Sequence, residues 1–388
     1  MKDRTLLMIP GPIEFEPAVL AALGAPTTSH VAPDFIEAFG QALERMRLVF
    51  RSPNGQPFVV AGSGTLAMDL AGANLVEPGD KALVVNTGYF GDRFGALLER
   101  YGAQVTHVRA PVGGRPSIGE VEQALKHDRF KLMTVTHVDT STGVITDVKE
   151  LATLGRRYDV LVVVDGVCSV AGEELDMGNW GVDVALTASQ KAIGVPPGLA
   201  LLMVSPRAMT AWRSRQHPVG SFYADWTHWL PIMEAYEARK PGYFGTPAVN
   251  LVWALNVSLG QILAEGIDAR CERHRSLGRA CQQGIAALGL GQVPLRPEFA
   301  AHTMTAPRFP AGVNGTDLLP RIARAGAVLA GGLHPAIRAE YFRIGHMGAA
   351  KVGDILATVG AIEAGLAACG YPFGMGTGVA AAAAGYYA

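Results

Sequence analysis

The sequence predicts an α/β fold, with a large unit around a mostly parallel seven-stranded sheet and a smaller α+β unit after it. Three observations carry this. Short β-rich runs alternate with helix-length segments through roughly the first 205 residues, the order that builds a layered α/β sheet. Several runs are nearly continuous Val and Leu, as in Val160–Val164 and Leu199–Val204, which suits parallel strands covered on both faces. Beyond about residue 205 the alternation stops and the composition changes.

In chain order, residues 1–15 form an N-terminal arm and residues 16–255 the predicted large unit. Its strands are Pro57–Ala61, Lys81–Val85, Gln104–Val108, Leu132–Thr136, Val160–Val164, Val182–Thr187 and Leu199–Val204. Its helices include Thr65–Leu75, Phe90–Tyr101, Ile118–Lys126 and Val148–Tyr158. Residues 206–240, rich in Trp, His and Arg, are predicted as helices and loops over the sheet. A long helix from Ala248 to Glu265 stops at Gly266, a residue suited to ending helices. The small unit covers 256–370, and the tail, 371–388, contains the alanine run Ala380–Ala384. That low-complexity tail is predicted to be disordered.

Composition narrows the function classes. The chain has 388 residues, 49% hydrophobic and 17% charged, enough apolar material for two packed units. Lys and Arg total 33 against 34 acids, a formal net charge of −1. This balance favours neither nucleic acid nor an anionic membrane as a partner. Four scattered cysteines, Cys168, Cys271, Cys281 and Cys369, form no disulfide or zinc spacing and suggest a reducing compartment. The first apolar run, Leu6–Pro10, is too short for a signal peptide, and no stretch is long enough to span a bilayer. The expectation is a soluble intracellular protein.

The chemistry-bearing motifs sit at predicted strand ends. Lys191, in Ala188-Ser189-Gln190-Lys191-Ala192, follows a strand and has small or apolar neighbours. A lysine in such a setting is desolvated, which lowers its pKa and makes the amine nucleophilic. Asp165 closes the run Val162-Val163-Val164. It suits a helix cap or metal ligand, or equally a carboxylate that keeps a pyridine nitrogen protonated. Gly62-Ser63-Gly64-Thr65 precedes a helix, where backbone N–H groups and the helix dipole favour an anion such as phosphate. Phe90 lies just after a strand end and suits either core packing or stacking on a planar ring. Arg343, on the β-like run Tyr341-Phe342-Arg343-Ile344, suits a carboxylate clamp or a solvated surface position. His137 and Asp139 lack an obvious third metal ligand, so no metal is predicted. Arg270–Arg279 is predicted as a solvated helix face.

Together these blocks resemble the class V aminotransferases of the fold-type I pyridoxal-phosphate family, and within it the fungal type of alanine–glyoxylate aminotransferase. The likeness covers about residues 5–370 and is carried by Ile9-Pro10-Gly11-Pro12-Ile13, Ala61–Thr65, Thr136–Thr142, Val163–Ser169, Ala185–Gly194, Tyr243–Pro247 and Arg343–Gly348. The resemblance implies pyridoxal 5′-phosphate as cofactor, Lys191 as its Schiff-base lysine and Asp165 as the partner of its ring nitrogen. It implies Ser63, Gly64, Thr65 and Gln190 around the phosphate, and Phe90 stacked on the ring where many relatives carry Trp. Thr140 would meet the ring oxygen, and Arg343 would clamp the substrate carboxylate with Gly11 lining the same pocket. Tyr243 and Thr246 match a motif that reaches the partner subunit's cofactor, implying a homodimer with shared sites. Small amino acids and 2-oxo acids are the implied substrates, alanine and glyoxylate foremost, with serine as the alternative donor.

Two rivals are weaker on the residues themselves. Gly62–Ala67 fits the loose G-x-G-x-x-A pattern of an NAD-dependent oxidoreductase, but the following strand ends at Asn86, with no ribose-binding acid there. A cysteine desulfurase needs a nucleophilic cysteine on a mobile loop, and none of the four has that context.

Overall fold

The computed structural model describes residues 5–388. Its main sheet has seven strands: β1 (Gln56–Ala61), β2 (Lys81–Asn86), β3 (Gln104–Arg109), β4 (Leu132–Thr136), β5 (Leu161–Asp165), β6 (Val184–Ala188) and β7 (Leu199–Val204). Their spatial order is β1-β7-β6-β5-β4-β2-β3. All pairings are parallel except those of β7, which runs antiparallel to both β1 and β6. The α/β expectation is met, strand for strand, with ends displaced by at most two residues.

The central strands are buried because their residues leave no polar face, whereas the edge strand β3 is alternately exposed. All five residues of β5 are buried, as are all six of β7. Helices such as Gly64–Leu75 and Val148–Arg157 cover the sheet. A second, smaller core gathers Leu277, Ile285, Ile322, Phe342 and Ile362, with Met8 contributed by the N-terminal arm. Around it lie the helices Ile267–Ala287, Gly315–Arg324 and Val352–Ala368 and the short strand Phe342–Gly345.

The C-terminal tail corrects one expectation. Residues Thr377–Tyr387 form a helix packed against Ile267–Ala287, not a disordered segment. Alanine is the strongest helix former, and its small side chain lets two helices approach closely. Ala382 is fully buried, and a Cβ on Gly284 would lie 3.0 Å from its Cβ. The buried Glu363 carboxylate accepts hydrogen bonds from the N–H groups of Gly376 (2.7 Å) and Gly378 (2.8 Å), capping the helix start. At the other end the Arg279 guanidinium donates to the Gly385 carbonyl at 2.7 Å.

Candidate active site

Asp165 is the last residue of β5, and Lys191 lies three residues beyond the end of its parallel neighbour β6. Both therefore sit at the carboxyl edge of the sheet, where open α/β folds place their ligands. The Gly64–Leu75 helix starts at the same edge, directly after β1. Between these elements is a cavity of about 170 Å³. Its lining includes Ser63, Gly64 and Thr65 from that helix start, Phe90 and Thr140, and Asp165, Gln190 and Lys191.

The turn carrying Lys191 is held from several directions. The Ser189 hydroxyl donates to the Pro196 carbonyl (2.8 Å) and accepts from the Leu199 N–H (3.1 Å). Gly194, at φ +77°, closes the turn with its N–H on the Lys191 carbonyl at 2.8 Å. Arg270 donates to the carbonyls of Ala192 (2.8 Å) and Ala171 (2.9 Å) and to Glu265 (2.7 Å). This overturns part of the solvated-face expectation for Arg270–Arg279, since Arg270 and His274 are buried, Arg270 against the lysine turn. The Lys191 amine itself donates to the Pro10 carbonyl. Burial pushes its pKa below the ordinary lysine value, so a neutral, nucleophilic amine is accessible.

Asp165 is a carboxylate short of partners. It is buried, and the Val167 N–H is its hydrogen-bond donor, 3.0 Å from Oδ1. Burial raises its pKa to about 7. Such a group gains most from a cationic donor placed beside it. The helix start lining the same cavity is equally unfilled in chemical terms. Ser63 is the N-cap of its helix but its hydroxyl makes no capping bond, and the first turn carries no acid. A helix start of this kind keeps its N–H groups and positive dipole end for an external anion. Gly64 is needed there, because a Cβ would lie 2.8 Å from Val167 Cγ2. Gln190 adds a buried side-chain oxygen with no partner among the described residues, and a half-turn of the amide would present its NH₂ to an anion. An anion donor set, a flat cavity wall at Phe90 and a carboxylate awaiting a cation fit pyridoxal phosphate, which carries one group for each.

The remaining nominated residues fall into two sets. Gly11 borders the lysine directly, with a Cβ built there lying 2.6 Å from Nζ. Arg343 lies outside the cavity lining but touches its rim: Nε donates to the Gly331 carbonyl (2.9 Å) and Nη1 to the Thr140 carbonyl (3.2 Å). Three of its five N–H donors are thus left over from these bonds. Tyr243 and Thr246 are exposed and do not line the cavity of their own chain.

Asp139 and Arg93 are site residues that the sequence reading did not nominate. Asp139 is fully buried and accepts from the N–H of Phe90 (3.1 Å) and from Ser141 N–H (2.9 Å) and hydroxyl (2.6 Å). It anchors the start of the helix that presents Phe90, with its oxygens engaged by protein donors. No group of three metal-ligating side chains occurs among the described residues. Arg93 lines the cavity between Phe90 and the phosphate-type cradle.

An open α/β sheet with a buried amine, a buried carboxylate and an anion cradle at one edge defines a lysine-centred carbonyl-chemistry enzyme. The chain belongs to the aminotransferase class-V family, whose profile matches residues 19–352. An alanine–glyoxylate aminotransferase of Saccharomyces cerevisiae is 40% identical over 360 residues, 89% of this chain and 93% of that protein. A serine–glyoxylate aminotransferase of Arabidopsis thaliana is 30% identical over 384 residues, covering 97% and 94%. The crystal structure of ureidoglycine–glyoxylate aminotransferase from Bacillus subtilis superposes with a TM-score of 0.93 at 26% identity, covering 100% of this chain and 99% of that one. The chain is therefore an amino-group-transferring enzyme of fold type I. No helix among the described residues is long and apolar enough to cross a membrane.

Proposed function

We propose that the chain moves the amino group of L-alanine to glyoxylate, giving pyruvate and glycine, with pyridoxal phosphate held in the Lys191–Asp165 cavity. The observation that carries this is one cavity lined by a desolvated lysine, a buried carboxylate with pKa about 7 and an uncapped helix start. Bound there, pyridoxal phosphate supplies an aldehyde for amines and a protonated ring that stabilises negative charge on the substrate α-carbon.

The chain's own groups divide the remaining work. Asp165 holds the proton on the ring nitrogen, and its burial makes that ion pair strong. Ser63, Gly64, Thr65 and Gln190 would hold the phosphate, and Phe90 and Thr140 would flank the ring. Lys191 would supply the amine that tethers the cofactor and, when free, the base that moves the substrate α-proton. Arg343 holds the substrate carboxylate bidentately, which orients the α-carbon toward Lys191. The same sequence run in reverse with an oxo acid completes a ping-pong cycle.

The substrate assignment is drawn from the yeast relative's name. A homodimer with shared sites is part of the same reading. It is supported by the exposure of Tyr243 (66%) and Phe222 (75%), beside Phe244 and His228, an aromatic surface of the kind buried at subunit interfaces.

The test is spectroscopic. Protein reconstituted with pyridoxal phosphate should absorb in the visible, lose that band on adding L-alanine and regain it on adding glyoxylate. No visible band would sink the reading, and bleaching by L-serine but not L-alanine would replace the donor.

A further inference from the structure

We infer that Arg93 is the cationic counter-charge for the cofactor phosphate, a fourth binding element beside the helix start, Thr65 and Gln190. The inference rests on the functional reading above and adds a residue to it. Arg93 lies on the helix Tyr89–Arg100, one turn beyond Tyr89 and Phe90. Its guanidinium carbon stands 4.9 Å from the Tyr89 ring centre and 5.2 Å from that of Phe90. Nη2 donates to the Tyr89 hydroxyl at 3.0 Å, and Nη1 to the Thr65 hydroxyl at 3.1 Å. The side chain is thus fixed in place by two rings and two hydrogen bonds, with its head directly against the cradle.

Charge balance gives that placement its meaning. The cations lining the cavity are Lys191 and Arg93, and Asp165 is the acid. A phosphate monoester adds about two negative charges near neutral pH. Lys191 is committed to the carbonyl carbon, and Arg343 is turned to the Thr140 and Gly331 carbonyls on the rim. Arg93 is therefore the lining cation left to offset the phosphate. It has the donors to do so: a guanidinium offers five N–H groups, and two are accounted for by Thr65 and Tyr89. Because it grips Thr65 and flanks Phe90, the same side chain ties phosphate capture to the ring that covers the cofactor.

The experiment separates charge from bracing. Apo protein is titrated with pyridoxal phosphate and with unphosphorylated pyridoxal, following binding by absorbance and intrinsic fluorescence, and inorganic phosphate is added as a competitor. Loss of a hydrogen-bonded charge should weaken pyridoxal phosphate binding by about 10- to 100-fold in Arg93→Ala. Pyridoxal affinity should stay within about twofold, Arg93→Lys should recover part of the loss, and phosphate should compete less well against the alanine variant. Equal losses for both ligands would overturn the inference in favour of bracing, and so would an unchanged affinity for pyridoxal phosphate. Thermal melts of each variant show whether the fold is intact, and Arg93→Lys keeps the question open to measurement if the alanine variant melts early. Wild-type protein that binds no pyridoxal phosphate would overturn the functional reading itself, an outcome distinct from either.

Discussion

Gly11 and Lys191 are in direct apposition: a Cβ at position 11 would lie 2.6 Å from the lysine Nζ and 2.7 Å from its Cδ. The N-terminal arm is thereby a wall of the lysine's compartment. It is fastened on both sides, by Ile13 N–H to the Gln190 carbonyl (3.4 Å) and by Gly345 N–H to the Met8 carbonyl (2.8 Å). The arm thus bridges the turn of Lys191 and the strand of Arg343, the amine and the expected carboxylate clamp.

Gly11→Ala should therefore damage catalysis well beyond its effect on stability. The residue sits at φ +116°, where a side chain is strained, and the new methyl group must displace the amine. The expected result is a kcat loss of at least about tenfold, since small misplacements of a reacting group are amplified in rate. Cofactor affinity should change much less, because Gly11 is not among the residues that line the cavity holding the phosphate cradle. Steady-state kinetics with a parallel binding titration decide it, and an unaltered kcat would show that the lysine has room to move aside.

Asp165 makes cofactor binding pH-dependent. Its carboxyl is neutral below about pH 7 in the free protein because burial disfavours the charge. A protonated ring nitrogen needs the carboxylate, so binding below pH 7 must expel a proton and weaken by roughly tenfold per pH unit. Above pH 7 the affinity should level off. Asp165→Asn should bind more weakly at pH 8 and show no such slope between about pH 5 and 7. Stability moves the other way in the free protein. A carboxyl raised from 3.8 to about 7 holds its proton longer when folded, so its ionisation destabilises the fold progressively across that range. Titrations and melts at several pH values test both signs.

A second ionisable pair should set the acid side of stability. Buried Glu173 accepts from His302 Nδ1 at 2.7 Å and from the N–H groups of His302 (2.6 Å) and Thr303 (3.0 Å). Burial alone would push the imidazole down and the carboxyl up, but each is overridden by the other, leaving His302 raised and Glu173 lowered. The histidine's contribution is full below its ordinary 6.5 and lost as pH rises through its higher folded value. The carboxylate's is full above its ordinary 4.5 and lost as pH falls through its lower one. The pair therefore stabilises most between about 4.5 and 6.5. His302→Asn should lower the melting temperature by about 2–4 °C near pH 5.5 and progressively less at alkaline pH. A deficit that does not vary with pH would mean the histidine acts by packing.

What was legible in the sequence follows from how far apart the interacting residues lie. Strands β4 to β7 declare themselves because a strand buried on both faces must be apolar throughout. Lys191, Asp165 and the Gly62–Thr65 loop stand out because each is a chemically distinctive residue or turn at a strand end. Arg93 and Arg270 do not. Both lie on helices with many charges, where a cation is ordinarily solvated, and their meaning depends on contacts 28 and 78 residues away, with Thr65 and Ala192. Asp139 carries no local signal of its role, which comes from its bond to the Phe90 N–H, 49 residues earlier. The alanine tail misleads for a different reason. Low complexity weakens a disorder prediction when the repeated residue is itself the best helix former and a docking groove exists.

The shared-site proposal yields a quantitative complementation test. One tagged chain carries Lys191→Ala, and a differently tagged chain carries Tyr243→Ala with Thr246→Ala. Each homodimer should be crippled, the first for lack of the amine and the second for loss of phosphate contacts across the interface. Co-expression in equal amounts gives half mixed dimers. If each site takes its lysine from one subunit and Tyr243 and Thr246 from the other, a mixed dimer holds one doubly damaged site and one wholly intact site. Total activity should then reach about one quarter of wild type, and the purified mixed dimer should show about half with wild-type KM. If Tyr243 and Thr246 instead serve their own chain, every site in the mixture retains a lesion. Activity would then only average the two parents, and the exposed aromatic surface around Tyr243 would need another explanation.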